Sequence, residues 1–117
     1  MKLQDIAIAD GKIESVRTSI TEAEINFVDW REAKWSFTFV DVLAVENLNV
    51  EGEELDRLEV RKDDPYIERV RAIVDEPNAT VNVYLFFTPW KDEPRLRVVA
   101  KDCNVNSAKE EFPSPSP

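Results

Sequence analysis

The chain has 117 residues, enough for one domain with a modest core, and its 43% hydrophobic content sets it apart from disordered chains. Histidine is absent, Cys103 is the lone cysteine, and Gly11 and Gly52 are the only glycines, which removes Ser-His-Asp and Cys-His catalysis, imidazole metal ligation, an internal disulfide and a glycine-rich phosphate cradle. The net charge is −9, with 13 acids and 6 bases in residues 1–58 against 11 and 9 in residues 59–117, so acidity concentrates in the first half and nucleic acid is not an expected partner.

Residues 3–8 (LQDIAI) read as a short strand, and Asp10-Gly11 is the usual two-residue hairpin signal. Residues 12–20 (KIESVRTSI) carry two patterns. Ile13, Val16 and Ile20 have helical spacing, whereas Val16, Thr18 and Ile20 alternate. The β-branched content and the preceding turn favour a strand. In residues 23–28, Ala23, Ile25 and Phe27 share one side, and Asp29-Trp30-Arg31-Glu32 predicts the next turn.

Residues 34–45 (KWSFTFVDVLAV) put Trp35, Phe37 and Phe39 on one buried face. Strict alternation continues that face through Asp41, Leu43 and Val45. A desolvated carboxylate there could act as a general acid. A bulge or turn at Val40-Asp41-Val42 would instead rotate Asp41 to solvent, and an arginine or edge amides could also satisfy it. The length of the run favours a break. One acid without a positioned partner is a weak catalytic signal.

Asn47 to Glu54 is polar and predicts a loop, and residues 55–61 a further strand. Asp63-Asp64-Pro65 predicts a helix start, with Asp64 as cap and Pro65 at the first helical position. Ile67, Val70, Ile73 and Val74 then form an apolar stripe, and Pro77 stops the helix, which should lie near residues 65–75. Residues 80–88 (TVNVYLFFT) set Val81, Val83, Leu85 and Phe87 on one face and Tyr84 and Phe86 on the other, as in a strand covered on both sides. After a Pro89–Pro94 connection, residues 95–105 return with Leu96, Val98 and Ala100 inward and Arg95, Arg97 and Val99 outward. The sum is a mainly β (α+β) domain over residues 1–111: an antiparallel sandwich or partial barrel of six to eight strands with one helix. Residues 112–117 (FPSPSP) read as a disordered Pro/Ser tail.

Carboxylates cluster at Glu51, Glu53, Glu54 and Asp56, at Asp63 and Asp64, and at Asp92 and Glu93. Two carboxylates suit glycosidase-type chemistry and several suit a hard cation. None has EF-hand spacing, and each falls in a predicted turn or loop. No catalytic residue, metal ligand or cofactor is therefore assigned. Trp30 and Trp90 lie in predicted turns beside Arg31 and Lys91. An exposed tryptophan next to a cation is typical of a binding hot spot. The alternative is that each indole folds back as a lid on the core. The candidate partner-binding residues are Trp30, Arg31, Glu51, Glu53, Glu54 and Trp90. Without a signal peptide or a bilayer-length apolar run, a cytoplasmic protein with no membrane partner is expected.

Residues 3–45 resemble small uncharacterised bacterial β-rich domains, some grouped with the immunity proteins of polymorphic toxin systems. Those domains open with a His-Asp pair, here Gln4-Asp5 with the histidine replaced. Strands of aliphatic alternation follow, here Ile25-Asn26-Phe27-Val28. A strand of the form aromatic-x-Phe-x-[Asp/Gly]-Val comes next, here Phe37-Thr38-Phe39-Val40-Asp41-Val42. The resemblance implies that Asp41 is a recurring turn or bulge residue.

These features predict a non-enzymatic intracellular binding protein, immunity-like, that covers a basic protein partner with an acidic surface. Two alternatives stand beside it: a small carboxylate-based hydrolase or metal-binding domain, and a self-assembling subunit such as a homodimer.

Overall fold

The computed structural model describes residues 2–107. The predicted Pro/Ser tail lies outside the described residues. Six strands form one antiparallel sheet: β1 (Lys12–Thr18), β2 (Glu22–Val28), β3 (Lys34–Asn47), β4 (Arg57–Arg61), β5 (Asn82–Phe87) and β6 (Leu96–Ser107). Their order across the sheet is β1-β2-β3-β6-β5-β4. One helix, α1 (Pro65–Ile73), joins β4 to β5. This is the β-rich class with a single helix that the hydrophobic pattern predicts, and of residues 12–20 the structure forms strand over Lys12–Thr18, with Ser19 and Ile20 in the hairpin connection.

β3 and β6 are the longest strands, and both are bent. Residues 35 to 47 would span about 40 Å if straight. Yet the chain from Asn47 to Gly52 reaches at most about 18 Å, and the Gly52 N–H donates to the Ile13 carbonyl at 2.8 Å. Ile13 pairs with Phe27 and Phe27 with Trp35, so the two ends of β3 are closer than a straight strand allows. The burial pattern locates the bend. In β3 the inner face runs Trp35, Phe37, Phe39, then Val42 and Val45. In β6 it runs Leu96, Val98, Ala100, then Cys103 and Val105. Each strand skips a step where two successive residues turn away from that face, at Val40-Asp41, half-buried and exposed, and at Lys101-Asp102, both exposed. Asp41 sits at φ 51°, and a bulge follows between Val42 and Ala44. The carboxylate is therefore exposed: the break turns it out of the apolar face.

The bend folds the sheet over its own inner face. Phe39 pairs with Cys103 and Tyr84 with Val98, which in a flat sheet stand about 17 Å apart along the strands. Their rings nevertheless meet edge to face at 4.9 Å between centroids. Phe27, Phe37, Phe39 and Phe86 are fully buried in this core, each contributing about 1.5–3 kcal/mol by removal from water. Closure is completed by the segment before β4. Asp10 N–H donates to the Leu55 carbonyl at 2.9 Å and Leu55 N–H to the Gly11 carbonyl at 2.8 Å, and Lys12 forms a bridge with Glu54. The segment thus lies along the first half of β1, and the sheet approaches a barrel.

A second core lies on the opposite face of β5 and β6. Ile67 and Val70 of α1 cover Val83, Leu85, Phe87 and Val99, which is why β5 is apolar on both faces. Val99, expected to face outward, is fully buried there. The predicted helix cap is present, with the Tyr66 N–H donating to Asp64 Oδ1 at 2.9 Å. The stripe is shorter than predicted. Ile73 and Val74 are 71% and 38% exposed, because α1 ends at Ile73 and Asp75 turns to φ 59°.

Residues 3–8 are not a strand. Leu3–Asp5 form a 3-10 turn, closed by the Asp5 N–H donating to the Lys2 carbonyl at 2.9 Å. Leu3, Ile6 and Ile8 plug the inner core. The expected Asp10-Gly11 hairpin has no first arm, because the edge it would pair with is occupied by residues 52–55. Gly11 is demanded by close approach: a Cβ there would stand 2.3 Å from Phe27 Cζ and 2.7 Å from the Val28 carbonyl oxygen.

Candidate functional site

Asp29 organises the β2–β3 hairpin. Its Oδ1 accepts the N–H groups of Arg31 and Ala33, each at 2.9 Å, and its Oδ2 accepts the Trp35 indole N–H at 3.2 Å. Asp29 is buried. Burial alone would raise its pKa. The Trp35 indole, then the two backbone donors and the Arg31 charge, outweigh that and hold the carboxyl below its ordinary value. Glu32 completes the turn at φ 66°. Trp35 is thus half-buried with its indole engaged at the sheet's end.

The turn displays its neighbour. Trp30 is 60% exposed, and the Arg31 guanidinium lies over its ring at 5.4 Å from the centroid. Trp30 borders an open depression of about 580 Å³ with Asp10, Glu14, Glu32 and Gly52 on its walls and Lys12 as its cation. Gly52 belongs to the acidic loop 51–54, so the closure of the sheet brings the backbone of that loop to the depression beside Trp30, whereas Glu51, Glu53 and Glu54 are not among the residues that line it. Val50 and Leu55, both fully buried, anchor that loop at either end.

The acids of the loop differ in their engagement. Glu51 accepts from the Asn47 amide at 3.2 Å. Glu53 lies 3.7 Å from Arg95, whose guanidinium also donates to the carbonyls of Leu48 and Asn49. Glu54 is exposed. Trp90 does not join them. It stands at φ 66° in the β5–β6 connection, 97% exposed, and is not among the residues bordering the depression. Neither Trp30 nor Trp90 is a lid on the core.

A groove of about 520 Å³ holds Asp41, Glu76 and Lys101 over a floor of Val42, Leu43 and Val81. Asp41 is exposed there, and no burial isolates its carboxylate from water. Burial, helped by Asp102, pushes the Cys103 thiol up to about 12, so it is protonated at neutral pH and a poor nucleophile. Among the described residues no group of three cysteine, aspartate or glutamate side chains is placed to hold a metal ion. No helix among them is long and apolar enough to cross a membrane.

Asp29 was not singled out by its spacing, although its position is informative. An aspartate opening a turn commonly accepts backbone N–H groups two or more residues on. The contact with Trp35, by contrast, depends on the hairpin and leaves no local pattern. Comparison with family models, with curated proteins and with solved structures returned no match.

Proposed function

We propose that the protein is a non-enzymatic binding protein of the cytoplasm, immunity-like in action, that covers a basic protein partner with the acidic rim around Trp30. One observation carries this reading: an exposed tryptophan on a turn fixed by Asp29 shares a depression with Asp10, Glu14, Glu32 and Gly52 of the acidic 51–54 loop. Trp30 would be the anchor. A large aromatic side chain buries much area with few torsions to restrain, and Asp29 already fixes the turn that presents it. The carboxylates of the rim would steer a positive partner toward it, an effect felt mainly in the rate of association.

The carboxylate clusters support enzyme chemistry less well. Glu51 and Glu53 are engaged in holding the loop, and Asp64 is engaged as a helix cap. Affinity capture from the native host, followed by binding kinetics on the captured protein, tests the proposal. A basic partner whose binding weakens when Glu51, Glu53 and Glu54 are neutralised together supports it. An acidic partner, or indifference to the neutralisation, rejects it.

A further inference from the structure

Beside the N-terminal 3-10 turn, where β5 begins, lies a depression of about 370 Å³. Its charge differs from that of the chain as a whole. Lys2 and Lys62 stand on its walls against one acid, Asp102, in a protein of net charge −9. Among the described residues neither lysine is ion-paired. One oxygen of Asp102 already accepts the Cys103 N–H at 2.8 Å. Asp5, which accepts the Lys2 backbone N–H at 3.1 Å, is not among the walls. Tyr84 supplies a buried polar group. It is 4% exposed, and its ring meets Phe39 in the inner core. Its hydroxyl reaches the wall, because the side chains that act on its ionisation, Asn82, Cys103 and Asp102, all line the depression. The Asn82 amide lies against the hydroxyl as a donor, and among the described residues no group accepts the hydroxyl proton. Burial pushes the pKa of Tyr84 up, so that proton stays in place at neutral pH. A buried O–H without an acceptor calls for one.

We infer that this depression binds a small monocarboxylate, whose oxygens accept from the Tyr84 hydroxyl and the lysine ammonium groups. Charge selects that class. Two cations against one acid are balanced by a single negative charge, and Asp102 disfavours a second. A carboxylate oxygen is also the acceptor that the Tyr84 proton lacks, and a hydrogen bond to an ionised acceptor is stronger than one to a neutral group. Leu3, Val60 and Cys103 give the walls an apolar part that suits a short alkyl chain. The volume admits a small molecule and no more. The inference is independent of the acidic-surface reading, since no residue is shared between this depression and the one beside Trp30.

Butyrate is the probe, titrated at constant ionic strength and followed by NMR. The side-chain amides of Gln4 and Asn82 and the backbone amide of Lys62 should shift saturably, and those around Trp30 should not. Butylammonium and butanol should leave them unchanged, and succinate, with two negative charges, should bind more weakly. Tyr84→Phe and Lys62→Gln should each weaken butyrate binding about tenfold. Lys62 is exposed, so Lys62→Gln should keep the thermal unfolding of the free protein and gives the answer should Tyr84→Phe fail to fold. The absence of saturable shifts overturns the inference and leaves water as the acceptor of the hydroxyl. Butylammonium or butanol binding as tightly as butyrate overturns the anionic chemistry, and tighter binding of succinate overturns the single charge. Butyrate binding that survives both substitutions overturns the site.

Discussion

Two tryptophans leave the sheet at its loops, and the protein holds them very differently. The Trp30 turn is fixed from within by Asp29, whose carboxylate takes three donors. The end of β2 that leads into it, Phe27 and Val28, packs closely on Gly11, and Trp30 borders an open depression. The Trp90 connection is tied at its base, by the Arg95 N–H on the Phe86 carbonyl at 2.8 Å, by Arg95 to Leu48 and Asn49, and by Arg97 to Glu93 at 3.3 Å, and none of these bonds reaches Trp90 itself. Trp90 is the more exposed of the two. Exposure alone therefore does not identify an anchor. A side chain already held in its bound position gives up less freedom on binding, so the less exposed tryptophan is the better candidate.

The largest expected effect removes the support under the Trp30 turn. Gly11→Ala places a methyl group against the buried Phe27 ring and the Val28 carbonyl, and should cost about 1–3 kcal/mol in denaturant unfolding. It should also perturb Trp30 fluorescence. A neutral Gly11→Ala would mean that the hairpin shifts freely, which erases the contrast with Trp90.

Asp29→Asn tests the turn itself. The amide cannot accept all three donors, so a loss of about 1–3 kcal/mol is expected at neutral pH. The pH dependence has a definite sign. The folded pKa of Asp29 is depressed, so its stabilisation is present above the unfolded value of about 3.9 and is lost as pH falls through the folded one. Acid titration of stability should be shallower below about pH 4 in Asp29→Asn than in the parent. An unchanged acid limb would show that the carboxylate contributes nothing to holding the turn.

Asp64→Ala acts on the helix-covered half and serves as a contrast. Loss of the cap should cost about 0.5–2 kcal/mol while leaving the Trp30 signal as it was. No loss on thermal or chemical unfolding would place the helix start elsewhere. The smallest stability effects belong to the tryptophans. Trp30→Ala and Trp90→Ala should each stay within about 0.5 kcal/mol, since neither fills the core. A larger cost for Trp30 would make it a structural residue.

Local patterns carried much of this architecture. The alternation of β2 and β5, the two-sided apolar character of β5, and Asp64-Pro65 at the helix start are each legible because one element and its own burial decide them. Residues 3–8 show where alternation misleads. Ile6 and Ile8 are buried as in a strand, but the edge beside them is filled by a segment some 50 positions further along the chain, which no local pattern contains. The bend in β3 was half visible, since Asp41 in an apolar run called for a break, but its consequence was not. Only the fold-over places the acidic loop 51–54 beside Trp30. The candidate residues are legible as residue types, and tertiary closure decides which of them come near one another.

The central claim is that Trp30 and the acidic rim form one partner surface, and the rates of binding to the captured partner test it most directly. Association by the parent protein should slow as salt is raised, because exposed charges are screened beyond about 8 Å at physiological ionic strength. Trp30→Ala should leave association nearly unchanged and speed dissociation, while Trp90→Ala should alter neither rate. Neutralising Glu51, Glu53 and Glu54 should slow association and flatten its salt dependence. Association that ignores salt, or a Trp90→Ala variant that dissociates as fast as Trp30→Ala, would contradict the account.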